Sequence, residues 1–113
     1  MRIWNLTPHT MHYDDGTAEF AFESDGVLRL CEVDELAEPV AGLVTVHKRY
    51  GEVQGLPAGI VAGDVLLVST LIGDAWPDRL RPTGVTVLVP DTGASCRRDA
   101  HGRIVSVSRF VRK

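Results

Sequence analysis

Two stretches decide the fold class of this 113-residue chain: Gly63-Asp64-Val65-Leu66-Leu67-Val68-Ser69-Thr70, and Gly84-Val85-Thr86-Val87-Leu88-Val89-Pro90-Asp91-Thr92-Gly93. Residues 65–68 are apolar on both faces, as in a strand covered on each side. Residues 85–89 form a second β-branched run, suited to a pleated, buried surface. Between them, Thr70 to Trp76 predicts two turns of helix ending before Pro77, since proline cannot continue a helix. A strand, a short crossover and a second strand predict a parallel βαβ unit.

Short strand signals and turn chemistry surround this unit. Ile3-Trp4-Asn5-Leu6 predicts a first strand, stopped by Thr7-Pro8. Met11-His12-Tyr13 and residues 17–23 flank Asp14-Asp15-Gly16, where Asp-Gly supplies the positive φ of a hairpin turn. In the second arm of that hairpin Ala18, Phe20 and Phe22 alternate with Glu19, Ala21 and Glu23, giving one apolar and one largely acidic face. Residues 27–33 predict another strand. Residues 34–42 are acidic and hold Pro39 and Gly42, which predicts a loop with one helical turn, and residues 42–49 are again β-rich. Four glycines and Pro57 within residues 50–64 predict a long irregular loop, a kind that often carries function. Residues 104–111 predict a closing strand. The expectation is a β-rich α/β class: one domain over residues 1–113, a mixed sheet of about seven strands, one or two short helices, and the βαβ unit at 65–89.

Composition removes whole classes. Hydrophobic content of 44 % and charged content of 24 % are globular values, which excludes a disordered or collagen-like chain. The first residues lack the apolar core of a secretory signal, and the run 65–72 is far short of the roughly 20 residues of a membrane helix. A soluble, cytoplasmic protein with no membrane partner is expected. Cys31 and Cys96 are too distant for a CxxC pattern and are expected as two buried thiols. His9, His12, His47 and His101 show no metal-binding spacing, and a separation of three along a strand would put His9 and His12 on opposite faces, so no metal or other cofactor is implied. The net charge of −3 hides a gradient: residues 1–40 hold nine acids and two bases, whereas residues 97–113 hold one acid and six bases. A net acidic chain argues against nucleic acid as partner.

In an open sheet with parallel strands, ligands bind beyond the strands' carboxyl ends. The residues just past each apolar run are therefore the candidate site. Asn5, Thr7 and His9 come after the first run, Ser69 and Thr70 after the central one, and Asp91, Thr92 and Gly93 after the next. Arg97 and Arg98 stand close behind as a clamp for carboxylate or phosphate. Ser69-Thr70 also opens the expected helix, whose free N–H groups favour an anion; the plainer reading is an N-cap. Ser69 lacks the glycines of a nucleophile elbow. Asp91-Thr92-Gly93 resembles the triplet of retroviral-type aspartic proteases, yet only 20 residues lie beyond Gly93, too few for the flap and second half-sheet that such an enzyme needs.

Taken together, Asn5-Leu6-Thr7-Pro8-His9, Tyr50-Gly51-Glu52-Val53-Gln54-Gly55-Leu56-Pro57, Val68-Ser69-Thr70-Leu71, Val89-Pro90-Asp91-Thr92-Gly93 and Arg98-Asp99-x-x-Gly102-Arg103-Ile104 resemble, block by block and in order, an uncharacterised family of small bacterial (notably actinobacterial) and phage proteins. That resemblance implies no activity. The first reading of the residues is a binder of a polar, phosphate-bearing, nucleotide-like small molecule. Asn5, Thr7, Ser69, Thr70 and Thr92 would supply hydrogen bonds, His9 with Arg97 or Arg98 would meet the anion, and Tyr50 would cover a ring. The second is a hydrolase or transferase with His9 as acid/base and Asp91 orienting it. The third is an interaction module, a homo-oligomer whose acidic and basic ends meet.

Overall fold

The computed structural model describes residues 1–113. Strands β1 (Ile3–Asn5), β2 (Met11–Asp14), β3 (Glu19–Phe22), β4 (Arg29–Val40), β5 (Leu43–Gln54) and β6 (Val65–Leu67) precede helix α1 (Thr70–Ala75). A 3-10 turn at Asp78–Leu80 leads to β7 (Thr86–Pro90), β8 (Arg97–Arg98), β9 (Ile104–Ser106) and β10 (Phe110–Arg112). The β6–α1–β7 segment is the expected parallel βαβ unit, with Leu66 opposite Val87. β1 adds in parallel on the far side of β6, with Trp4 opposite Leu66, and β10 closes the other edge antiparallel to β7.

The sheet therefore has four strands in the order β1-β6-β7-β10, not seven. The remaining six strands pair only with their sequence neighbours, as the two-stranded ribbons β2-β3, β4-β5 and β8-β9. Local hairpin closure wins over insertion into the central sheet because a short loop costs little chain entropy. The expected closing strand over 104–111 is broken by changes of partner. β9 pairs with β8, then Val107 leaves it to exchange backbone bonds with His12 and Asp14 of β2, before β10 rejoins β7.

Pleating assigns the faces. Trp4, Leu66, Val68, Val87 and Val89 point to one side, where Leu6, Leu28, Ile72 and Trp76 complete the core. Leu66, Val68 and Val87 are at most 1 % exposed, and burying each contributes roughly 1.5–3 kcal/mol. Helix α1 is held at both ends. The Ser69 hydroxyl caps the Ile72 N–H at 3.4 Å, and the Arg81 guanidinium donates to the Gly73 and Trp76 carbonyls at 3.0 Å each. Gly73 lets the helix lie directly on β7, since a Cβ there would overlap Val89. Asp64 lies buried under β1 and accepts from Trp4 Nε1 at 3.0 Å, Val61 N–H at 3.0 Å and Arg2 N–H at 2.9 Å. Those donors, the Val61 amide foremost, hold its carboxyl below the ordinary value.

The largest departure from expectation lies at residues 29–54. The acidic stretch expected as loop and helical turn is the outer half of β4, and residues 50–54 are strand, so only residues from Gly55 to Asp64 are irregular. β4 and β5, twelve residues each, form a hairpin closed by Ala41 and Gly42, both at positive φ (51° and 78°), the twist-matched pairing of a two-residue β-turn. Leu30 and Val53 tie its base to the core. The rest projects as an arm, which explains a radius of gyration of 16.7 Å where a compact chain of this length has roughly 13 Å. Cys31, on the arm, and Cys96 are free and half-buried rather than buried. No helix is long and apolar enough to cross a membrane.

Candidate functional site

The tails of the three parallel strands converge. Beyond β1 the chain turns through Thr7 and His9, beyond β6 through Ser69 and Thr70, and beyond β7 through Thr92. All five line one cleft of about 320 Å³, within the size range of small-molecule sites. Its opposite wall comes from β2 and β9: Met11, His12, Ile104, Val105 and Ser106. Sequence reasoning misses this wall because it is delivered by the bridge between Tyr13 and Val107, a contact across more than ninety positions with no local signature.

Five hydroxyl-bearing residues besides Thr70 (Thr7, Thr10, Ser69, Thr92 and Ser106), two imidazoles and a strip of aliphatic surface therefore face one another. No Lys, Arg, Asp or Glu lines the cleft. His9 and His12 share it because residues 6–10 form no strand, so the alternation expected to separate them never starts. No group of three or more His, Cys, Asp or Glu side chains is gathered to hold a metal.

The other predicted residues have different places. Asn5 is fully buried, and its side chain is committed within the fold: Nδ2 donates to the His9 and Phe22 carbonyls at 2.9 and 2.7 Å, and Oδ1 accepts from Thr7 N–H and Oγ1 at 3.1 and 2.6 Å. It shapes the rim of the cleft and has no donor left for a ligand. Tyr50 lies on the arm opposite Glu32, away from the cleft. The Arg98 guanidinium donates to the Gly102 and Thr92 carbonyls at 2.8 and 3.1 Å, fastening the loop that presents Thr92.

Asp91 does not line the cleft. Its carboxylate takes the Arg109 guanidinium, the Gly93 N–H at 3.2 Å and the Ser95 hydroxyl at 3.3 Å. Arg109 first, then the Gly93 amide, hold its carboxyl below the ordinary value. The expected pairing with His9 is absent from these contacts. The Ser69 oxygen is engaged as the helix cap, so it too has a structural duty.

Arg97 faces an adjoining basin of about 490 Å³ that shares His12, Val105 and Ser106 with the cleft and also contains Asp14 and Glu19. Arg97 and the strand tails thus line neighbouring hollows that share one wall.

Compared with protein families, with curated proteins and with solved structures, the chain finds no match.

Proposed function

We propose that the chain binds a polar, phosphate-bearing small molecule of nucleotide type, with its uncharged part in the 320 Å³ cleft and its phosphate turned across the shared wall toward Arg97. The observation that carries this reading is the convergence of three parallel strand tails, with Thr7, Ser69, Thr70 and Thr92, on one cleft facing His9 and His12. Hydroxyls and imidazoles suit sugar and base edges, and the aliphatic strip of Ile104 and Val107 suits a ring face. The blocks 5–9, 68–71 and 89–93, by which the chain resembles the bacterial and phage family, fall on those same tails.

Binding is favoured over catalysis because Asp91, the carboxylate that follows β7, is held by Arg109 and Ser95. An acid/base mechanism on His9 would need a partner to orient the imidazole. Calorimetric titration with AMP, adenosine and inorganic phosphate, with mass spectrometry of the recovered ligand, tests the reading. AMP should bind more tightly than adenosine and return intact. Arg97→Gln should erase that preference, and Thr92→Val should weaken both ligands. Failure of AMP and adenosine to bind at millimolar concentration overturns the proposal, and a new mass would transfer the site to the enzyme reading.

A further inference from the structure

The arm is long and has no cover. Leu36, Val40, Leu43, Val44 and Val46 stand 83, 63, 67, 81 and 45 % exposed, and residues 39–46 carry no charge. Clustered apolar exposure of this kind in a β-ribbon marks an association surface. The two strands pair only with each other, so each has one free edge of backbone N–H and C=O groups.

Those edges differ. β4 is irregular near the tip, where three residues on its side, including Pro39, span two on β5. Its regular part, Glu32 to Ala37, holds Glu32, Asp34 and Glu35. Proline, a bulge and repeated like charge are the devices that keep an edge from pairing. β5 is continuous in register from Thr45 to Tyr50, has no proline, and its first four residues are uncharged.

We propose that the chain self-associates through this edge, β5 of one copy pairing antiparallel with β5 of a second across a two-fold axis, so that the two arms become one four-stranded sheet. Centring the pair on Thr45 sets Val44 against the partner's Val46. Leu36 already lies opposite Val46, so the aliphatic row runs unbroken from one arm into the next. The same register sends Lys48 and Arg49 of the two copies to opposite ends of the contact. Pairing through β4 would instead set two acidic rows side by side. Within each arm, Lys48 bridges Glu32 and Asp34 at 3.4 and 3.3 Å, and Arg49 meets Glu35 at 3.1 Å, so both cations of β5 already have partners within their own copy. The self-complementary contact closes at two copies.

Sedimentation equilibrium over about a hundred-fold range of concentration tests this, because a reversible dimer follows mass action. The wild-type chain should approach twice its 12.3 kDa mass. Val44→Lys should remain at the single-chain mass while keeping the circular dichroism of the parent, since Val44 is exposed within one copy. Phe20→Lys, on the separate aromatic face of β2 and β3, should still dimerise. Hydrogen exchange of the wild-type chain provides a reading free of any variant: amides of residues 43–47 should exchange more slowly at high than at low concentration. A wild-type chain that stays monomeric, a dimeric Val44→Lys, or β5 amides indifferent to concentration overturns the proposal. Loss of the dimer in Phe20→Lys overturns it too, since the interface would then be the aromatic face of β2 and β3.

Discussion

Replacing Asn5 should unfold the rim of the cleft rather than merely weaken a ligand. Its side chain is 0 % exposed and makes four hydrogen bonds, two donated to the His9 and Phe22 carbonyls and two accepted from Thr7. At about 1 kcal/mol net per bond, Asn5→Ala removes on the order of 4 kcal/mol. Some returns, because the Thr7 hydroxyl also lies 3.2 Å from the His9 carbonyl and keeps that acceptor paired, which leaves about 3 kcal/mol. In a urea melt with a slope of about 1.5 kcal/mol per molar, the midpoint should fall by roughly 2 M. Asn5→Asp sharpens the test because its shape is the same. It keeps both bonds from Thr7, but turns a carboxylate oxygen toward two carbonyl oxygens in a site closed to water, where an unpaired charge is costly. At neutral pH it should be at least as unstable as Asn5→Ala. The buried site raises the folded pKa of that new carboxyl, so its penalty is present above the folded value and lifts as pH falls through it. An Asn5→Ala midpoint within about 0.5 M of the parent, or an Asn5→Asp protein as stable as the parent at pH 7, would refute the assignment of Asn5 to the fold.

Gly73→Ala gains about 1 kcal/mol of helix propensity but forces a methyl group onto Val89, which is 2 % exposed; overpacking of this kind costs about 1–3 kcal/mol, so calorimetry should show a lower melting temperature. Asp15, at about 2 through the Tyr13 hydroxyl and the Ala18 and Thr17 amides, and Asp64 and Asp91, both lowered, are ionised more readily in the folded than in the unfolded chain. Their stabilisation is complete above the unfolded carboxylate value of roughly 4 and is lost as pH falls toward the folded values. Melting temperature should therefore drop steeply below pH 4, and Asp64→Asn should lower it at neutral pH while flattening that drop. Ala41→Gly relieves a positive φ of 51° at the arm's tip and should stabilise the arm by about 0.5–1 kcal/mol, read as slower exchange of β4 and β5 amides with no change in global melting.

How much of the fold was legible in the sequence depends on where burial acts. Residues 65–68 and 85–89 are covered on both faces, so their composition alone announces central strands, and the positions just after them locate the cleft. The arm is wet on both faces. Nothing there selects the period-2 alternation by which a half-buried strand is recognised, and Glu38-Pro39 with Ala41-Gly42 imitates a loop although the two strands are paired through it. The same logic divides the site residues. Thr7, Ser69, Thr70 and Thr92 needed only the parallel order of β1, β6 and β7 to meet. His12 and Ser106 needed the chain to switch partners at Val107, and Asn5 and Asp91 were claimed by groups far along the chain: Phe22 in one case, Arg109 in the other. Polarity at a strand end marks a group that must be satisfied. Whether a ligand or the fold satisfies it depends on which distant donors and acceptors the topology brings within about 3 Å. The charge gradient obeys this rule as well: at the basic end, Arg98 closes a loop and Arg109 pairs with Asp91.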